Sequence, residues 1–243
     1  MARVFVNDTT LTDIADAIRE KNGSTDTYKP SQMGNAVRDI QSGGDNILEL
    51  ANSVQGTFAS KTFDYPFDLE ITFGKGGCSY AGIQAVTNSS KGIRSVKIKC
   101  LTKGVLSSLN TSFQRELNNT DLEIVDLSEA YLAPLVDSTR AFYRAGGLKQ
   151  IIGELDLSAH TSVNNYAFQY LNSLEEIRFK PSSILYSVAF NHSSLLSAES
   201  IQSVIDGLAT VETAQTLTFH ADVKEKLTEA QIATITSKNW TLA

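Results

Sequence analysis

A six-residue phrase occurs four times in this chain: apolar, two free positions, apolar, one free position, apolar. It reads Ile93, Val96, Ile98, then Leu122, Val125, Leu127, then Ile152, Leu155, Leu157, then Leu174, Ile177, Phe179. A second mark runs alongside it, a small residue followed by phenylalanine: Ser112-Phe113, Ala141-Phe142, Ala167-Phe168 and Ala189-Phe190. Two independent marks at a period of roughly 20–30 residues predict a solenoid of the leucine-rich kind. Each phrase is expected to be a short strand whose apolar residues point inward, with successive strands paired in parallel. Each phenylalanine is expected to fill the interior below its strand.

The flanks carry different patterns. Leu11, Ile14, Ala15 and Ile18 recur at helical spacing, with Thr10 or Thr12 as the expected cap. Pro30 presets a second helix, whose stripe is Met33, Val37 and Ile40, and Ser42-Gly43-Gly44 breaks it. Two such helices bury too little area to stand alone, so their stripes need a partner. Leu69, Ile71 and Phe73 alternate before Gly74-Lys75-Gly76-Gly77, which suggests a β-hairpin cap over the first repeat. At the other end, a helix from about Ser197, a strand over Thr216 to His220 and a helix capped by Thr228 form an α/β C-terminal cap. The expected organisation is a helical hairpin over 1–44, a β-rich cap or linker over 45–91 and a repeat stack with its cap over 92–243.

Charge and composition narrow the function. A net charge of −6 with no Lys/Arg cluster argues against a nucleic-acid partner. No apolar run reaches the length of a membrane span, and Met1 to Asn7 is too short and polar to read as a signal peptide. Cys78 and Cys100 lack metal-ligand spacing; they are either buried thiols, as suits a reducing cytosol, or a disulfide.

Little in the sequence points to catalysis. His160, His192 and His220 fall in different repeats without Cys or acidic partners at ligand spacing, and read as exposed or loop histidines. Asp126 and Asp156 share a place in VDLS and LDLS. On adjacent strands they would form either a solvated polar ladder or a carboxylate pair for a cation or for acid–base work. No catalytic, metal or cofactor site is expected.

Two stretches resemble known families. LTDIADAIREKNGSTDTYKPSQMGNAVRDI, Leu11 to Ile40, resembles the opening module of tail and baseplate-associated proteins of phages and prophages of Gram-positive bacteria. The repeats resemble the BspA-like leucine-rich class, without the Cys that many such repeats carry. The last stretch, from Ser194 onward, is similar to the C-terminal cap of phage-borne members. The resemblance implies a virion protein assembled in the bacterial cytoplasm, attached at one end to other tail, baseplate or capsid proteins. At its other end it implies recognition of a host-surface glycan or protein. Tail fibres of this kind are often homo-oligomers. Attachment falls on Leu11, Ile14, Ile18, Met33, Val37 and Ile40. Strand alternation turns Lys97, Asp126, Glu154, Asp156 and Arg178 outward as the expected receptor face. The alternatives are a head fibre or capsid decoration, and a tail-borne glycan hydrolase using Asp126, Glu154 or Asp156; for the binding site, the alternative is the loops around Tyr131, Tyr143 and Tyr166.

Overall fold

The computed structural model describes residues 8–22, 27, 29, 46–50, 62–73, 83, 87, 91–101, 103–104, 106–115, 120–161 and 166–243. The chain divides into two compact units, Met1–Gly44 and Asp45–Ala243. In the first, helix α1 spans Asp8–Asn22, so Thr10 and Thr12 lie inside it rather than capping it. Ala15 is buried, Leu11 half-buried and Ile14 exposed. The second expected helix, with Met33, Val37 and Ile40, lies outside the described residues, as does the side chain of Ile18.

The second unit is of the α/β class, with two parallel sheets. The larger runs in strict sequence order: β1 (Asn46–Leu50), β2 (Thr62–Phe73), β3 (Lys91–Cys100), β4 (Ile124–Glu129), β5 (Gln150–Leu155) and β6 (Glu176–Phe179). Each strand pairs in parallel with the next. The described strands before β3 therefore pair in parallel and not as an antiparallel hairpin. β2 is one strand, bonded in parallel on both sides, whose inward residues Leu69, Ile71 and Phe73 continue the core. Cys100, at the end of β3, is disulfide-bonded, which decides between the two cysteine readings; the chain's other cysteine, Cys78, lies outside the described residues.

Alternation accounts for the core. Ile93, Val96, Ile98, Leu122, Val125, Leu127, Leu174, Ile177 and Phe179 are all buried. The third phrase departs from expectation. Ile152 is 39% exposed, while Ile151 and Leu148 are buried. Ile151 pairs with Val125, so Leu148 holds the place that Leu122 and Leu174 hold in their layers. A bulge between Gln150 and Glu154 then resets the register before Leu155 meets Phe179. Gly153 makes it feasible: it sits at φ 106°, and a Cβ there would come within 3.1 Å of the Leu127 carbonyl carbon.

Opposite the sheet, the return turns stack as well. Phe113 N–H donates to Ala141 O at 2.8 Å and Phe142 N–H to Ala167 O at 3.1 Å, so each turn is tied to the next. The phenylalanines form a column through the interior. Phe113 and Phe142 stack at 5.4 Å, Phe142 and Phe168 at 5.9 Å, and Phe168 and Phe190 at 5.1 Å. The column continues into Phe219 of the second sheet, at 6.0 Å. That sheet joins β7 (Val188–Phe190), β8 (Gln215–Phe219) and β9 (Trp240–Leu242) in parallel.

The C-terminal elements carry clear end signals. Helix α2 (Ala198–Gly207) is capped by the Ser197 hydroxyl, which accepts from Ser200 N–H. Lys238 Nζ donates to the carbonyls of Ile205, Asp206 and Leu208 at the other end of α2. The short helix α3 (Ala221–Lys224) follows. Helix α4 (Glu229–Ser237) opens on a capping box between Thr228 and Gln231. Trp240 is buried and its indole N–H reaches Ala209 O at 2.8 Å.

Helix α2 also closes the large sheet. Ser200 Oγ accepts from Ile177 N–H at 3.0 Å and Ser203 Oγ from Phe179 N–H at 2.9 Å. The free edge of β6 is thus satisfied by two hydroxyls instead of another strand.

Candidate binding surface

The outward face of the large sheet is polar, and its charges are paired across strands. Arg94 bridges to Asp68, Lys97 and Lys99 to Glu129, Lys99 to Glu70 at 3.9 Å, and Lys149 to Glu123 at 3.0 Å. The Arg94 hydrogen bond holds the Asp68 carboxyl below its ordinary range, and Lys97 with Lys99 does the same for Glu129. Exposed pairs of this kind contribute little to stability, typically below about 1 kcal/mol each. Their effect here is to leave the face close to neutral.

The expected receptor residues do not share one column. Lys97 sits opposite Asp126, and Glu154 opposite Arg178. Asp126 is in register with Ile152, so the expected Asp126–Asp156 pairing on adjacent strands is not made. Both aspartates instead hydrogen-bond locally, two residues on. Asp126 Oδ1 accepts from the backbone N–H of Ser128, and Asp156 Oδ1 from that of Ser158. Asp156 lies beyond the end of β5, is only 7% exposed, and also takes Lys180 Nζ at 3.2 Å. Burial pushes its carboxyl up; the Ser158 hydrogen bonds and Lys180 outweigh that and hold it below the ordinary range. The shared DLS therefore makes the same local hydrogen bond inside β4 and past the end of β5, and Asp156 is not the outward residue that alternation implied. Glu154 and Arg178 do meet in an open groove of about 570 Å³ between β6 and α2, which Glu199, Gln202 and Asp206 also line.

The histidines are not simply exposed. His160 is buried, and its Nε2 lies 3.2 Å from Ser138 Oγ. This spacing suits a nucleophile and its base. However, Ser138 is itself buried, and the space beside the pair is about 10 Å³, room for one water and not for a substrate. His192 is half-buried against Tyr170. His220 caps α3, its ring accepting from Asp222 N–H. Among the described residues, no group of three or more His, Cys, Asp or Glu is placed to hold a metal ion. No described helix is long and apolar enough to cross a membrane.

Burial lowers the affinity of His160 for a proton, although Asp137 pulls the other way; burial and the charge of His220 lower that of His192. Both groups are then neutral in both states above the ordinary value of 6.5. As pH falls through that value the unfolded chain takes up protons first, and the native state loses stability until both histidines are charged. The carboxylates with lowered values, Asp68, Glu129, Asp137 and Asp156, respond at lower pH, below ordinary values of 3.8 to 4.5. The melting temperature should therefore drop between pH 7.5 and 5.5. The drop should shrink in His160→Gln/His192→Gln, and an equal drop in that variant would refute this assignment.

A second surface lies on the turns, at the alternative loops of Tyr143 and Tyr166. Tyr143 meets Tyr166 and Tyr170 edge to face, with centroids 5.9 and 5.6 Å apart. The Arg140 guanidinium lies over Tyr143 and Tyr166, at 5.6 and 5.5 Å. That of Arg144 lies over Tyr143 and Tyr170, at 4.9 and 6.0 Å. His192 stacks on Tyr170 at 4.1 Å. Tyr166 and Tyr170 stay 44% and 39% exposed. Stacked turns explain the gathering: Arg144, Tyr170 and His192 each stand two places after the phenylalanine of their layer.

No protein-family model, curated protein or solved structure matches the chain.

Proposed function

We propose that this chain is a non-enzymatic structural protein of a phage or phage-like particle, set at the tail or baseplate. In this reading residues 45–243 are a short leucine-rich-repeat stack of the BspA-like kind, with an α/β cap. They present a recognition surface to the host envelope, and the N-terminal helices dock to the particle. One observation carries the reading: six parallel strands joined in strict sequence order, with phenylalanines stacked behind them. Such an arrangement builds a long, displayed surface. The exposed Ile14 of α1 suits a helix that completes its packing on another protein.

The test is antibody labelling of particles with serum raised against residues 45–243. Label at the tail tip is the expected result. Label on the capsid would convert the reading to a head fibre or decoration protein. Particles that carry no label, from cells that make the chain, would overturn it.

A further inference from the structure

We propose that the tyrosine–arginine cluster on the turns is a subsite for an anionic sugar. Charge is the first reason. The chain has a net charge of −6, and Arg94, Lys97, Lys99, Lys149 and Lys180 all find a carboxylate. Arg140 and Arg144 form no ion pair among the described residues. They are held over tyrosine rings instead. The guanidinium fork is suited to paired hydrogen bonds from a carboxylate or phosphate.

Unmet hydrogen bonding is the second reason. Arg144 Nε and His192 Nδ1, both in the cluster, are covered and have no hydrogen-bond partner among the described residues. Covered polar atoms of this kind are uncommon in native proteins and call for an acceptor or donor. The third reason is shape. Three partly exposed tyrosines present on the order of 250 Å² of ring surface. A stable protein interface needs about 800 Å² from each partner. A patch this small fits one or two sugar residues, with C–H faces on the rings, hydroxyls on the tyrosine O–H groups and the acid on the arginines.

The source of the acid, a uronate or a phosphate-bearing polyol, is separated by experiment. The full chain is titrated calorimetrically with four probes: an oligouronate, a glycerol-phosphate oligomer, a neutral oligosaccharide of equal length and an oligoglutamate. One of the two anionic carbohydrate probes should bind, and the neutral probe should bind at least about tenfold more weakly, for want of the charged hydrogen bonds. Arg140→Gln/Arg144→Gln should weaken binding about tenfold or more and flatten its salt dependence. Lysine at both positions should restore only part of it. Arg140→Gln and Tyr166→Ala, each at an exposed position, repeat the test should the double variant unfold.

Equal affinity for oligoglutamate would make the surface a peptide site. No binding of either anionic carbohydrate probe at millimolar concentration, or unchanged binding in the folded variants, would overturn the proposal. It rests on the recognition reading for where such a sugar is met. Calorimetry on purified components fails or succeeds independently of particle labelling, so the two ideas fall separately.

Discussion

Replacing Phe142 by alanine is expected to lower the unfolding free energy by roughly 3–5 kcal/mol. Phe142 is fully buried within the phenylalanine column, between Phe113 and Phe168. It stacks on Phe113 and on Phe168 with interplanar angles of 10° and 17°. Its backbone is also bonded to the next turn, through Phe142 N–H to Ala167 O. Neighbouring layers are held by these ladders at both the sheet and the turns, so the space left by the ring has few ways to collapse. That places the cost toward the upper part of the range. Leu195→Ala is the reference, because Leu195 is 53% exposed and its loss should cost no more than about 0.5 kcal/mol. Chemical denaturation of both variants decides the matter. Equal midpoint shifts would mean that the column is not where the stack is held.

Gly147→Ala should destabilise by about 3 kcal/mol or more, while Gly146→Ala should be nearly neutral. The two glycines share one turn, but only at the second would a Cβ clash with a neighbouring layer. A Cβ on Gly147 would lie 2.0 Å from the carbonyl oxygen and 2.7 Å from the carbonyl carbon of Thr120. These are backbone atoms and cannot rotate aside. Relief requires parting the layer of Thr120 from that of Gly147, against the Lys149 N–H to Glu123 O bond at 2.8 Å. A Cβ on Gly146 would meet Tyr170 O at 3.7 Å, an ordinary contact. Thermal melts of the pair in parallel check this. Tolerance of alanine at 147 would refute the close approach of the two turns.

Much of the strand core was legible because alternation and burial are the same fact in a half-covered strand. Val96, Val125, Ile177 and Phe179 follow from period two without further information. The third layer was not legible in the same way. The irregularity between Gln150 and Glu154 puts four places between the buried Ile151 and Leu155, where two separate Ile177 and Phe179, so the phrase Ile152, Leu155, Leu157 begins on a residue that faces out. Leu148 was passed over, although Leu122, Leu148 and Leu174 are evenly spaced. Asp156 was misplaced for a related reason. It follows an apolar residue as Asp126 does, but it lies past the strand end, where a turn and Lys180 enclose it.

Of the tyrosine–arginine cluster, Tyr143 and Tyr166 were legible as an alternative, but Arg140, Arg144, Tyr170 and His192 were not, because the members are scattered along the chain. No local pattern joins them. Alignment of the layers on phenylalanine, rather than on the leucine phrase, does bring Arg144, Tyr170 and His192 into one column. His160 has no repeated counterpart, and nothing in its neighbours signals that Ser138 covers it.

The two serines at the edge of β6 have a consequence for self-association. An open parallel edge is a template on which a second copy can dock its own first strand, and repeated docking makes a filament. Here Ile177 and Phe179 have already spent their N–H groups on Ser200 and Ser203 of the same chain. Polymerisation through this edge is closed by a helix of the same chain, which supplies the acceptors as well as the cover. Because the stop depends only on β6 and α2, strands duplicated or lost nearer the N-terminus would lengthen or shorten the large sheet and leave the terminator as it is.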